Sequence, residues 1–323
     1  MASPAPKVVI VGARGIGRHH ARWWYVEGAE PAGIVGTNAA TLPETVKTLQ
    51  SMFPFAGIAG TSLNDLIHRC QPDIVDICCP HPAHARYIHE TINESDARIV
   101  CEKPLVFDPD KTVPQLLEEA EELRQLIHEH ERDFLLTTQY PVLARHVLDD
   151  YHQHWPAESI LALEATLKTP GKVENLPPQY IWIDLAPHLL AMVHQLFPEA
   201  HPCWEDMNLN VVGQDVTIML PFTIGNRLLK VTFNTGRTHG EPKHIKALKV
   251  NESLYEFFNA KTPDGHFGIE IKTPETAFVV EDPMRVMLRE YLNHNILVGI
   301  DAAITNTQWL LKTYEAIVRH VQT

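Results

Sequence analysis

The apolar run Val8-Val9-Ile10-Val11 opens directly into Gly12-Ala13-Arg14-Gly15-Ile16-Gly17, and a helical pattern then continues to about residue 26. A strand, a glycine turn and a helix in that order form the phosphate-cradling start of a dinucleotide-binding fold; an ordinary strand-to-helix turn is the alternative reading. Glycine lets the backbone turn sharply and approach a pyrophosphate closely. The helix that follows aims free N–H groups and its positive end at the anion. The spacing departs from Gly-x-Gly-x-x-Gly. Arg14 stands where the second glycine belongs, and Gly15 falls one place late.

The rhythm of the next hundred residues agrees with that opening. Strand candidates lie at 8–11, 32–35, 55–59, 74–79, 98–101 and 134–138, with helical patterns between most of them, including 84–93 and the acidic stretch 113–129. Such alternation predicts a parallel sheet with helices on both faces, whose ligands bind at the carboxyl ends of the strands. After Thr138 the pattern changes. Helices are expected at 142–152 and 184–196 and a strand at 160–169. Strand-like pieces follow at 208–220, 227–235, 244–250, 254–259 and 267–271, and helices at 284–295 and 305–321 close the chain. Strands in succession with short turns read as an antiparallel sheet. The expectation is an α/β chain of two domains. Residues 1–138 form a doubly wound Rossmann domain, and 139–323 an α/β domain with a large, mostly antiparallel sheet.

Bulk properties narrow the partners. The 323 residues are 45% hydrophobic and 21% charged, enough for two ordinary cores. A net charge of −13 without a long basic run argues against nucleic acid or an anionic membrane as the main partner. No apolar stretch approaches the roughly 20 residues of a membrane span. Residues 1–6 carry no signal-peptide core, and the five cysteines form no C-x-x-C pair, so a reducing cytoplasm is expected. Of the 19 histidines, His81, His84, His152 and His154 lack the companions of a metal motif, and no metal is expected.

Three further clusters carry chemistry. Cys78-Cys79-Pro80-His81-Pro82-Ala83-His84 ends the fourth strand, and Cys101-Glu102-Lys103-Pro104 ends the fifth. Parallel strands end on one edge, so both face the crevice of the glycine turn. A lysine there can exchange a proton with a substrate oxygen. In Asp184-Leu185-Ala186-Pro187-His188 the acid and the histidine share a helix face, where a carboxylate can orient an imidazole. Asp184 also suits a helix cap, with Pro187 in the first turn.

Taken in order, the glycine turn, Gly17-x-x-His20, Pro80…His84, Glu102-Lys103-Pro104 and Asp184…His188 resemble the glucose–fructose oxidoreductase/inositol dehydrogenase (Gfo/Idh/MocA) family. The likeness is most specific over 8–104 and 181–198. It implies hydride transfer between a nicotinamide cofactor and a sugar, cyclitol or related polyol. By position it makes His188 the leading proton donor or acceptor, with Lys103 assisting, and has Asp184 bind a substrate hydroxyl and orient His188. The expected cofactor contacts are Gly12, Arg14, Gly15, Ile16, Gly17, Thr37, Asn38, Pro80, His84 and Glu102. Gln139 and Tyr140 are expected in the substrate pocket. The second strand ends Val35-Gly36-Thr37-Asn38 without the acid that holds a free adenosine ribose, which favours NADP over NAD. Ala186 and Ala191 stand where the family often has glycine and aspartate, and no arginine accompanies Thr138-Gln139-Tyr140-Pro141. The family's second sheet usually pairs with another subunit, so a homodimer or homotetramer is expected. Two other functions fit the sequence. One is a cofactor-retaining hydrolase or lyase working through transient oxidation. The other is a non-catalytic nucleotide-binding regulator, disfavoured by the presence of Lys103, Asp184 and His188.

Overall fold

The computed structural model describes residues 4–156, 159–171 and 175–322. It divides into two compact units. The first comprises the residues up to Thr137 together with Met284–Thr307, and the second comprises Thr138–Pro283 with the residues from Gln308 on.

The first unit runs β1 (Lys7–Val11), α1 (Gly17–Val26), β2 (Glu30–Val35), α2 (Leu42–Met52), β3 (Ile58–Gly60), α3 (Leu63–Cys70), β4 (Ile74–Ile77), α4 (His84–Glu94), β5 (Arg98–Glu102), α5 (Val113–Glu129) and β6 (Phe134–Thr137). The six strands form one parallel sheet in the order β3-β2-β1-β4-β5-β6. Their apolar runs lack period-2 alternation because helices cover both faces; Val8, Val9, Ile10, Ile74 and Val75 have no exposed surface. The helices start where their caps dictate. The Ser62 side chain accepts the N–H of Asp65 at α3, and Thr112 with Gln115 forms a capping box at α5. The strand expected at 55–59 begins three residues later. Phe55 is buried edge-on against Phe53 instead of joining the ladder.

The second unit runs α6 (Tyr140–His154), β7 (Ala162–Pro170), α7 (Pro178–Leu196), β8 (His201–Pro202), β9 (Asn208–Val212), β10 (Asp215–Ile224), β11 (Arg227–Thr238), β12 (Ile245–Val250), β13 (Ser253–Lys261), β14 (Phe267–Lys272) and β15 (Ala277–Glu281). Its sheet is ordered β15-β14-β13-β12-β7-β11-β10-β8, with β9 also paired to β10. Only β7 and β11 pair in parallel among the described strands; the other pairs are antiparallel. Along β10, buried Val216, Ile218, Leu220 and Phe222 alternate with more exposed neighbours, and α7 packs on the buried face.

Three differences from the sequence expectation have physical causes. The piece expected at 208–220 is two strands, because Gly213 turns the chain at φ +60°. Helix α7 begins at Pro178, six residues before the expected start. Ile181, Trp182 and Ile183 are buried and already helical, so Asp184 is not a cap and Pro187 lies inside the helix. The last helices, α8 (Pro283–Leu292) and α9 (Ile300–Gln322), are not confined to the second unit. Residues 284–307 pack with the first unit. Arg285 pairs with Glu27 at 2.6 Å, and the Tyr291 hydroxyl donates to the carbonyls of Ile99 and Asp133. A single cut at 138/139 therefore misses this return of the chain. No helix among the described residues is long and apolar enough to cross a membrane.

Candidate functional site

In the first unit, β1 leads into Gly12 at φ +92°, a conformation that L side chains avoid. A Cβ on Gly12 would lie 2.8 Å from the backbone of Cys79, and one on Gly17 would lie 2.5 Å from the Gly12 carbonyl oxygen. These two glycines are demanded by the packing of the turn against the chain leaving β4. Gly15 is different, since a Cβ there would have no heavy atom within 4 Å. It faces open space at the mouth of α1.

That space continues as a cleft of about 440 Å³ at the carboxyl ends of β1, β2 and β4. Gly12, Arg14 and Gly15 line it from the turn, Thr37 from the end of β2, and Pro80 from the end of β4. Thr41, Thr45 and Tyr87, which the sequence reading did not single out, line it as well. Their helices carry them there with no local motif to mark them. No Asp or Glu is among the lining residues, and Arg14 is the one cation. The size, the glycine-built wall and the open helix mouth fit a dinucleotide, with its pyrophosphate over Gly15.

Ile16, Gly17, Asn38, His84 and Glu102 are not in that lining. Asn38 turns its side-chain oxygen to the N–H of Ala40 at 2.9 Å. His84 is buried, and its ring nitrogens lie 3.0 Å from the Pro104 carbonyl and 2.9 Å from that of Cys79. It straps together the segments that leave β4 and β5, and burial pushes its pKa down.

Glu102 ends β5 and accepts the Thr137 hydroxyl at 2.5 Å. Burial would raise its pKa, but His20, Lys103 and Thr137 outweigh that and hold it at about 2. Lys103 follows, half-buried at the strand exit, before a cis bond to Pro104. Behind them, His20 and Asp76 are fully buried and 2.9 Å apart. Asp76 also accepts the Trp24 indole N–H at 2.6 Å and the Cys78 thiol at 3.3 Å. The ligand atoms of His20, Asp76 and Cys78 all lie within 4.8 Å of one another. Hydrogen bonds from the protein already occupy both Asp76 oxygens.

In the second unit, α7 carries Asp184 and His188 on one face, both half-buried. The Asp184 carboxylate accepts from the Arg237 guanidinium at 3.0 Å, and Arg237 also donates to Thr169 at 2.5 Å. Sequence reasoning missed Arg237. Its signal was parity. Leu229, Val231, Phe233 and Thr235 point to the buried face of β11, and position 237 continues that row with a charge. The Tyr140 ring lies 5.7 Å from the His188 ring and meets Phe257 edge-on at 6.1 Å. Gln139 is half-buried at the start of α6 and makes no side-chain cap.

The apolar face under α7 thus turns polar at the paired ends of β7 and β11. Among the described residues, Thr138 Oγ1, Tyr140 Oη, Gln179 Oε1, Thr235 Oγ1 and Arg237 Nε are buried and hydrogen-bond to nothing in the protein. Native interiors rarely leave such atoms idle, and each one costs free energy until a ligand or water meets it. Burial pushes the Tyr140 pKa far up, so its hydroxyl remains a donor.

Residues 6–136 match the family model described as the oxidoreductase family with an NAD-binding Rossmann fold, Gfo/Idh/MocA. No curated protein sequence matches the chain. Among solved structures, the chain is similar to UDP-N-acetylglucosamine 3-dehydrogenase GnnA from Acidithiobacillus ferrooxidans, at 18% identity and TM-score 0.71 over 97% of each chain. An Agrobacterium radiobacter oxidoreductase solved with NAD+, L-tartaric acid and magnesium is 12% identical, with a TM-score of 0.68 over 97% of this chain and 96% of that one. Biliverdin reductase from Synechocystis sp. PCC 6803, solved with biliverdin and NADP+, is 14% identical, with a TM-score of 0.61 over 95% and 96%. At these identities the likeness is one of fold.

Proposed function

Residues 6–136 match the Gfo/Idh/MocA oxidoreductase family model, and from that match we propose that the chain moves hydride between NADP(H) and a carbinol or carbonyl carbon of a sugar, cyclitol or related polyol. The observation that carries the cofactor half is the cleft lining. A free adenosine ribose is normally held by a carboxylate after the second strand, and none lines this cleft, whereas Arg14 and Thr37 do. A cation and hydroxyls suit a 2′-phosphate.

The substrate half rests on the polar end of the sheet under α7. Its idle groups are mostly hydroxyls and one N–H, which suit the hydroxyls of a polyol. Oxidation of a carbinol sends hydride from carbon to the nicotinamide and a proton from oxygen to a base. In our reading His188 takes that proton, Lys103 assists, and Asp184 accepts from a second substrate hydroxyl. The Arg237 guanidinium, 3.0 Å away, holds the Asp184 carboxylate in place. Gln139 and Tyr140 complete the pocket wall.

The same reading includes a second copy of the chain. On the sheet face opposite α7, Met219, Leu228, Leu254, Phe258 and Val279 are exposed. A two-fold pairing of that face would cover them.

Fluorescence titration with NADPH and NADH, followed by a sugar and polyol oxidation screen, tests the proposal. Tighter NADPH binding and turnover of a polyol support it. Tighter NADH binding overturns the 2′-phosphate reading. Turnover without net change in nicotinamide redox state moves the chain to transient-oxidation chemistry. Light scattering that gives a monomer removes the pairing of sheets.

A further inference from the structure

His20 lies three residues after Gly17 on α1, and its ring has no exposed surface. Nδ1 hydrogen-bonds an Asp76 oxygen on β4 at 2.9 Å, and Nε2 stands 3.3 Å from a Glu102 oxygen at the end of β5, within ion-pair range but outside hydrogen-bond geometry. A neutral imidazole carries one N–H and serves one carboxylate. Two carboxylates this close favour the imidazolium, whose charge both can share.

The surrounding charges agree. From α1, Trp24 donates its indole N–H to Asp76, while Arg18 and Arg22 are exposed. From β4 and its exit come Asp76 and Cys78; from β5 and its exit, Glu102 and Lys103; from β6, the Thr137 hydroxyl that donates to Glu102. Burial alone would push the His20 pKa down, but its polar neighbours, the Asp76 carboxylate among them, raise it well above the ordinary value. Burial and Asp76 push the Cys78 pKa well up, so Cys78 stays a thiol and a donor.

These contacts join three stretches that carry chemistry. They are the glycine turn that opens α1, the Cys78-Cys79-Pro80 wall of the cleft, and the Glu102-Lys103 exit of β5. We infer that His20 is a positioning residue of the oxidoreductase: as a buried imidazolium between Asp76 and Glu102, it fixes the Glu102 carboxylate and the β5 exit for the bound cofactor. The inference rests on the reading of Glu102 as a cofactor contact. His20 touches neither cofactor nor substrate in this role; it acts through Glu102.

The test is NADPH affinity from about pH 6 to about pH 10 for the wild type, His20→Gln, Glu102→Gln and the double variant, with a thermal midpoint for each. His20→Gln should weaken NADPH about tenfold. The double variant should bind no worse than the weaker single one, because both changes act on one contact. Wild-type affinity should fall on the alkaline side as His20 loses its proton, and neither single variant should show that limb. A folded His20→Gln protein that binds like wild type overturns the inference, as do losses that multiply in the double variant. If His20→Gln does not fold, Glu102→Gln decides: a retained wild-type alkaline limb overturns the inference. A wild-type protein that binds neither nucleotide removes the cofactor reading first, and this inference with it.

Discussion

The two candidate sites hold their buried polarity differently. In the first, His20, Trp24 and Cys78 meet Asp76, Thr137 meets Glu102, and His20 Nε2 is the cluster's one idle atom, while the cleft itself is walled largely by backbone, glycine and apolar side chains. In the second, Tyr140, Thr138, Gln179, Thr235 and Arg237 keep buried hydrogen-bonding atoms that nothing in the protein meets. A ligand shared by a whole family can be recognised by main-chain N–H groups and helix ends, which any sequence supplies once the turn is right. A ligand particular to one enzyme needs side chains held ready, and the protein bears their desolvation until it arrives.

The sharpest way to break this comparison is to remove the acid–base groups. His188→Ala or Lys103→Ala should lower turnover by about two orders of magnitude or more. His188→Ala should leave the NADPH dissociation constant unchanged, since its residue belongs to the second unit. Full activity in both variants would reject the site assignment.

Gly12→Ala comes next. It places a Cβ 2.8 Å from the Cys79 backbone at φ +92°, which costs about 1–3 kcal/mol in strain. A lower thermal midpoint and weaker NADPH binding are expected together. Gly15→Ala meets no protein atom, so it should leave the midpoint alone and weaken only nucleotide binding.

Tyr140→Phe separates the two units most cleanly. It removes an idle buried hydroxyl, so unfolding stability should stay level or rise by up to about 1 kcal/mol. The kcat/KM should fall about tenfold, the size of one hydrogen bond to substrate. A variant that loses stability instead would mean that the hydroxyl has a structural partner. The smallest effect expected is that of Arg14→Gly, which should weaken NADPH by about 1 kcal/mol more than NADH because the residue is exposed. Equal losses would remove Arg14 from any 2′-phosphate role.

Much of this was legible because some signals are local. Val8–Val11 and the glycine turn write a strand and a close approach into consecutive residues, and the pattern of Val113–Glu129 reads as a helix. Residues whose role depends on distant chain were not. His84 sits in a motif that suggests a ligand contact, yet its ring lies between two carbonyls at positions 79 and 104. Arg237 gains meaning only when α7 places Asp184 beside it. The return of residues 284–307 to the first unit left no mark in the helical pattern of α8, because amphipathic periodicity states that a face will be buried and not against what.

The sequence by itself determined the element types, the parallel and antiparallel sheets, and the chemistry offered at each strand end. Periodicity, glycine conformation and capping act over a few residues and need no partner. Tertiary structure alone decided which polar atoms are satisfied and which are left waiting. A hydrogen bond or ion pair is set by distance and direction between atoms that the chain brings together from afar, as with His20 and Glu102 or Asp184 and Arg237.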